Sequence, residues 1–143
     1  MTYVAEAAAP NPFAKPIDAG MLHVDAVAGG LPMAVLTNLC RQMAPDDKLF
    51  KYRFVSKATY ARRLAAPGGA TLSKAESERV ARLSHLWTYA LEVWGSDHGA
   101  RRFLREPHML LGGRPGQEVA LESEQGARMV EQILGRLQYG TGV

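Results

Sequence analysis

Five side chains suited to holding nucleic acid sit together behind Ser56: Lys57, Thr59, Tyr60, Arg62 and Arg63. On a helix, such a set can enter the major groove. Arg can hold guanine with two hydrogen bonds, while Lys, Ser and Thr usually hold phosphate. The spacing fits a solvated basic helix equally well. A second candidate lies at the other end, in Leu137-Gln138-Tyr139-Gly140-Thr141-Gly142-Val143. Tyr139 is the sole Phe, Tyr or Trp after Phe103, and a short tail with one aromatic anchor is a form that enters clefts. A frayed terminus has the same composition.

Catalytic patterns are missing. The chain has no G-x-S-x-G, H-E-x-x-H, G-x-x-x-x-G-K-[ST] or G-x-G-x-x-G. Gly112-Gly113-Arg114-Pro115-Gly116 is glycine-rich but reads as a tight turn between helices. Cys40 lies on an apolar stripe and is expected to be a small core residue. His23, His85, His98 and His108 are scattered singly, so no metal site is expected. No catalytic residue, metal or cofactor is assigned, and the expectation is a protein that is not an enzyme.

The elements that must position these residues fit in 143 residues, enough for one domain or two subdomains sharing a core. Hydrophobic residues make up 47% and charged residues 22%, ordinary for a globular chain. A single cysteine excludes an internal disulfide. No apolar run is long enough to span a membrane, and no basic-then-apolar leader opens the chain. The expected home is the cytoplasm, without membrane contact. The net charge of +3 is unevenly spread. Residues 31–95 carry ten Lys or Arg against five Asp or Glu, whereas residues 96–143 carry six of each. A regional excess points to nucleic acid more strongly than a basic average.

Helical periodicity dominates. The prolines of residues 1–16 predict a flexible tail, and a short helix is expected over 17–29. Leu36, Leu39, Cys40 and Met43 recur at three- and four-residue steps behind Pro32, which predicts a helix stopped by Pro45. Asp46 is expected to cap a short helix through Tyr52, and Ser56 the helix that carries the basic set. Two short helices around a turn have the layout of a helix-turn-helix. Ser73 and Glu76 form a capping box for a long helix with Val80, Leu83, Trp87, Ala90 and Trp94 as its apolar face. Glu78 and Arg82 are placed to pair on its outer side. Gly95 ends it. Phe103 and Leu104 are expected core residues of a shorter helix stopped by Pro107. Ser123 opens a last helix with Ala127, Val130, Leu134 and Leu137 as its stripe, closed by Gly140. No stretch alternates long enough to predict a strand. The expected fold is all-α, with five to seven helices.

Glu92-Val93-Trp94-Gly95, Phe103-Leu104-Arg105-Glu106-Pro107-His108, Leu111-Gly112-Gly113 and the run from Gly126 to Gly140 together resemble the Xre/MbcA/ParS antitoxin toxin-binding domain. Residues 30–71 resemble the Xre-like N-terminal region of the same antitoxins, whose helix-turn-helix closes on an S-x-x-T-x-x-R-R-like segment, here Ser56 to Arg63. Arg114-Pro115-Gly116 departs from the family's Thr-Pro-Leu, and Gly116 is expected to weaken the short helix there. The resemblance divides the chain into a tail at 1–16, a helix-turn-helix region at 17–71 and a toxin-binding domain at 72–143. It implies an antitoxin of a type II toxin–antitoxin pair. The implied partner is a RES-domain toxin with a fold like ADP-ribosyltransferases, acting on NAD. It also implies inhibition by the C-terminal segment covering the toxin's active site, a homodimer, and repression of the operon through operator DNA. Arg128, Glu131 and Arg136, on the polar side of the last helix, with Tyr139, Gly140, Thr141, Gly142 and Val143, would then face the toxin. The basic set from Ser56 to Arg63 would face DNA. The alternative is a stand-alone helix-turn-helix transcription factor whose C-terminal half only dimerises.

Overall fold

The computed structural model describes Val27 and residues 29–140. The expected tail at 1–16, nearly all of the expected helix at 17–29, and Thr141, Gly142 and Val143 lie outside the described residues. The fold is all-α as expected, with six α-helices among the described residues. These are α1 (Met33–Met43), α2 (Lys57–Ala65), α3 (Lys74–Trp94), α4 (Asp97–Arg105), α5 (Gly116–Glu122) and α6 (Glu124–Gln138). A 3₁₀ turn at Phe50–Arg53 lies between α1 and α2.

Serine caps open four of the six helices. Ser56 accepts the Thr59 N–H at 3.2 Å, Ser96 the Gly99 N–H at 3.0 Å and Ser123 the Gly126 N–H at 2.9 Å. Ser73 and Glu76 make both bonds of the capping box. Each cap satisfies a helix-end donor and contributes about 1 kcal/mol. At the start of the described chain, the Leu31 N–H donates to Ser77 Oγ at 2.9 Å, which pins the entry to α1 against α3.

Helix α3 is the spine. Its 21 residues span about 30 Å, and α1, α4, α5 and α6 all pack on it. One core joins Leu36, Leu39 and Met43 of α1, Val80, Leu83, Leu86 and Trp87 of α3, Leu104 of α4, and Val130 and Leu134 of α6. Burial of each large apolar side chain is worth about 1.5–3 kcal/mol. Trp87 is 1% exposed, and the Arg101 guanidinium lies 5.9 Å from its ring centre.

Several expectations are corrected. Asp46 caps no helix: it pairs with Arg105 at 2.5 Å, while Asp47 Oδ1 accepts the Leu49 N–H at 2.9 Å. Asp47 makes the local turn bond instead, and the chain goes on into the 3₁₀ turn at Phe50–Arg53. Arg82 does not hold Glu78. Its Nε and Nη2 donate to the Ala120 and Leu121 carbonyls at 2.8 and 3.0 Å, satisfying acceptors near the end of α5. Phe103 and Leu137 are half-buried, and Trp94 is 44% exposed, outside the core. Between α4 and α5, Pro107–His108 and Arg114–Pro115 form a two-residue antiparallel ladder, too short to show as an alternating pattern.

The α5–α6 corner depends on glycine. A Cβ on Gly126 would stand 2.1 Å from the Val119 carbonyl oxygen, so the two helices can meet there only because the side chain is absent. Gly116 follows the same logic and overturns the expectation of a weakened helix. It is buried, and a Cβ there would lie 3.3 Å from Val130 Cγ1. The missing anchor is replaced by close approach of α5 to α6.

Candidate nucleic-acid and toxin interfaces

The basic set divides between two sides of α2. Ser56 is spent on the cap, and its hydroxyl also donates to Thr59 Oγ1 at 2.8 Å. Tyr60 was expected outward but is 9% exposed. Its ring meets Tyr52 edge-on at 5.9 Å, and its hydroxyl lies 3.5 Å from Thr37 Oγ1. Lys51 Nζ sits 5.1 and 5.3 Å from the centres of the Tyr52 and Tyr60 rings. Tyr60 therefore anchors α2 to α1, because its ring gains more from burial than from solvent.

Arg63 also turns inward. Its guanidinium pairs with Glu76, with the two side chains 19% and 16% exposed. Burial pushes the Glu76 carboxyl upward. The Arg63 guanidinium and the Ser73 N–H outweigh that and hold it below the ordinary value near 4.5. One carboxylate thus caps α3 and ties α2 to it. Lys57 and Arg62 stay exposed beside Ala58 and Ala61. Around the helix Lys57, Ala61, Ala58 and Arg62 follow one another over an arc of about 140°, an exposed face that can lie along a groove.

The set expected to face a toxin is spread along α6. Arg128 pairs loosely with Glu124 at 3.7 Å, and both side chains are largely exposed. Arg128 and Glu131 line a groove of about 540 Å³ between α3 and α6, together with Lys74 and His85. Tyr139 lies about 12 Å further along the axis than Glu131. Arg136 is exposed near that end. Tyr139 is 78% exposed and caps α6. Gly140, with φ at +72°, turns the chain off the helix axis, a conformation that favours glycine. The Tyr89 hydroxyl donates to Gln138 Oε1 at 3.1 Å and steadies this end.

A further feature was missed in the sequence. Trp94, Phe103 and His108 form a row of rings. Trp94 and Phe103 are 5.8 Å apart at 33°, and Phe103 and His108 are 6.0 Å apart at 71°. They line a groove of about 420 Å³ that Leu137 borders. Gly99 permits it, since a Cβ there would lie 3.1 Å from Trp94 Cβ. The available signal was Trp94's place as the last member of its stripe, directly before the helix stop. The ring row turns past His108 into Met109 and Leu110, which are 87% and 45% exposed. His108 Nδ1 accepts the Leu110 N–H at 3.1 Å and fixes that turn.

Cys40 is half-buried, and burial pushes its thiol up to about 12, which leaves it unreactive at neutral pH. Among the described residues, no group of three or more His, Cys, Asp or Glu is placed to hold a metal, and no helix is long and apolar enough to cross a membrane.

Residues 23–85 match the antitoxin Xre-like helix-turn-helix domain. Residues 90–140 match the antitoxin Xre/MbcA/ParS C-terminal toxin-binding domain. The chain is 28% identical over 127 residues to a protein named Antitoxin Xre from Yersinia enterocolitica; the match covers 87% of this chain and 84% of that protein.

Proposed function

We propose, for a chain that belongs to the Xre-type antitoxins in both of its matched regions, that it neutralises a RES-domain toxin by covering the toxin's active site with its C-terminal segment. It is the antitoxin of a toxin–antitoxin system and carries a helix-turn-helix DNA-binding region. The finer reading adds a partner that consumes NAD or transfers ADP-ribose, a homodimer within the complex, autorepression, and a cytoplasmic setting. The antitoxin acts by occlusion and has no chemistry of its own.

The observation that carries this reading is the exposed end of α6. Tyr139 stands out from the fold, and Gly140 after it takes a left-handed backbone that does not continue the helix. A cleft that binds an anionic dinucleotide offers N–H donors and positive charge. The exposed Tyr139, an aromatic ring with a polar hydroxyl tip, can enter such a cleft. Arg128, Glu131 and Arg136 would contact the toxin surface outside the cleft. Lys57 and Arg62 would face operator DNA, with Ser56, Thr59, Tyr60 and Arg63 holding α2 in position.

The test is deletion of residues 139–143, with NAD turnover by the co-expressed toxin as the readout and circular dichroism as the folding control. The expected truncated protein is folded and no longer protects cells. Full inhibition by the truncated form would replace the plug with occlusion by the helical face. A folded full-length chain that binds DNA but leaves the toxin's activity untouched would favour the transcription-factor alternative.

A further inference from the structure

We infer that the groove between α3 and α6, of about 540 Å³, is the seat of the chain's own residues 17–26, which lie along it as a helix antiparallel to α3. The occupant belongs to this chain, so no toxin or DNA enters the reasoning or the test.

The described chain starts in the groove. Val27 is helical and lines it. A helix stop follows at once: the Gly30 N–H donates to the Val27 carbonyl at 3.2 Å, and Gly30 takes a φ of +91°. A stop needs turns ahead of it, and only residues before Val27 can supply them. The stop is also fixed in place. A Cβ on Gly30 would stand 2.7 Å from the Leu72 carbonyl oxygen. Next to it, the Leu31 N–H donates to Ser77 Oγ at 2.9 Å, and the Leu72 N–H donates to the Leu31 carbonyl at 2.8 Å. These bonds hold Val27 near the first turns of α3.

From there the groove follows α3 from Lys74 to His85, about 16 Å. A helix over residues 17–27 is about 15 Å long. Ile17, Met21, Val24 and Val27 fall within an arc of about 120°, one apolar stripe. Between its charged rims the groove offers Ala81 from α3 and Ala127 from α6, small side chains that let a third helix approach closely. Charge agrees at the near end. Residues 17–26 carry Asp18 and Asp25 but no Lys or Arg. Lys74 pairs with no carboxylate among the described residues, and Asp25 lies two positions before Val27. With Val27 beside Glu78, equal rises bring Val24 level with Ala81 and Met21 level with Ser84 and His85. The segment then clasps the two matched regions together, because this part of α3 lies within 23–85 and α6 within 90–140.

The experiment uses the full chain carrying Cys40→Ser, Val24→Cys and Ala81→Cys, oxidised mildly at low protein concentration. A disulfide requires Cα atoms within about 7 Å, so the expected product is a bridge within one chain. A second measurement needs no introduced cysteine. In the wild-type chain, amide hydrogen exchange over 17–26 should be at least about tenfold slower than in an unstructured peptide of the same sequence. Ala81→Glu blocks the seat from α3, and Met21→Asp spoils the stripe without touching any described residue. Each should return 17–26 to the unstructured rate while α4 keeps its protection, the sign that the fold is intact. Unprotected amides over 17–26 in the wild type, or no bridge within the chain, would overturn the assignment. Protection that survives both substitutions would place the segment elsewhere and overturn it too. A bridge formed only between chains, or protection that rises with protein concentration, would give the groove to the segment of a second copy and refute a seat within one chain.

Discussion

Arg62 and Arg63 are adjacent in sequence, and the structure separates their roles, so single substitutions should give different signatures. Arg62 is exposed on α2. Arg62→Ala should leave stability within about 0.5 kcal/mol. If Arg62 neutralises a phosphate, the variant lowers the slope of log affinity against log salt by about 1. Arg63 is tied to Glu76, with side chains 19% and 16% exposed. Exposed pairs are worth about 0.2–1 kcal/mol, and breaking a fully buried one costs about 3–5 kcal/mol. This pair lies between those limits and nearer the lower one, so Arg63→Ala should cost about 1.5 kcal/mol. That corresponds to a Tm lower by about 5 °C for a chain of this size. DNA affinity should fall too, because α2 loses its tie to α3, but the salt slope should stay that of wild type. The assay is fluorescence anisotropy over a salt series, with a duplex from the region upstream of this gene, beside thermal denaturation. Equal loss of slope in both variants would refute the division of roles. An unchanged slope for Arg62→Ala would show that this face does not meet the backbone of DNA.

Three further outcomes follow from the packing. Trp87→Ala should cost about 3–5 kcal/mol, a large part of a typical total of about 5–15 kcal/mol, and urea denaturation reads it directly. Gly126→Ala should cost about 2 kcal/mol or more, because its Cβ would meet a backbone oxygen rather than a yielding side chain; a variant as stable as wild type would mean that α5 and α6 separate freely. Glu76→Gln should lower Tm at pH 7. Because the Glu76 carboxyl is held below its ordinary value, its stabilisation is full above that value and is lost as pH falls through the lowered one. The Tm gap between Glu76→Gln and wild type should therefore close in acid; a constant gap would refute the charge's role.

Local rules carried the reading where local physics decides. Ser56, Ser73 and Ser123 cap helices because their hydroxyls reach donors three residues on, a distance readable from sequence. Val80, Leu83, Trp87 and Ala90 are buried because α3 is packed along that length. The same stripe misplaced Trp94, since periodicity says which side of a helix is apolar but not how far the covering helices extend. Asp46 and Arg82 escaped for a related reason. Their partners, Arg105 and the carbonyls of Ala120 and Leu121, are roughly forty to sixty positions away, beyond any local rule. Within the basic set, spacing marked the helix, but only packing separates inward Tyr60 and Arg63 from outward Lys57 and Arg62.

The continuity of α3 has a consequence for how such chains can recombine. Its first turn fastens α2 through Glu76, and its last residue is Trp94, in the aromatic groove. Between them, the same rod buries side chains against both α1 and α6. A hybrid that took its front half from one relative and its back half from another would have to splice inside this rod, where each face is fitted to a different neighbour. The region that matches a helix-turn-helix domain and the region that matches a toxin-binding domain are thus welded into one heritable unit.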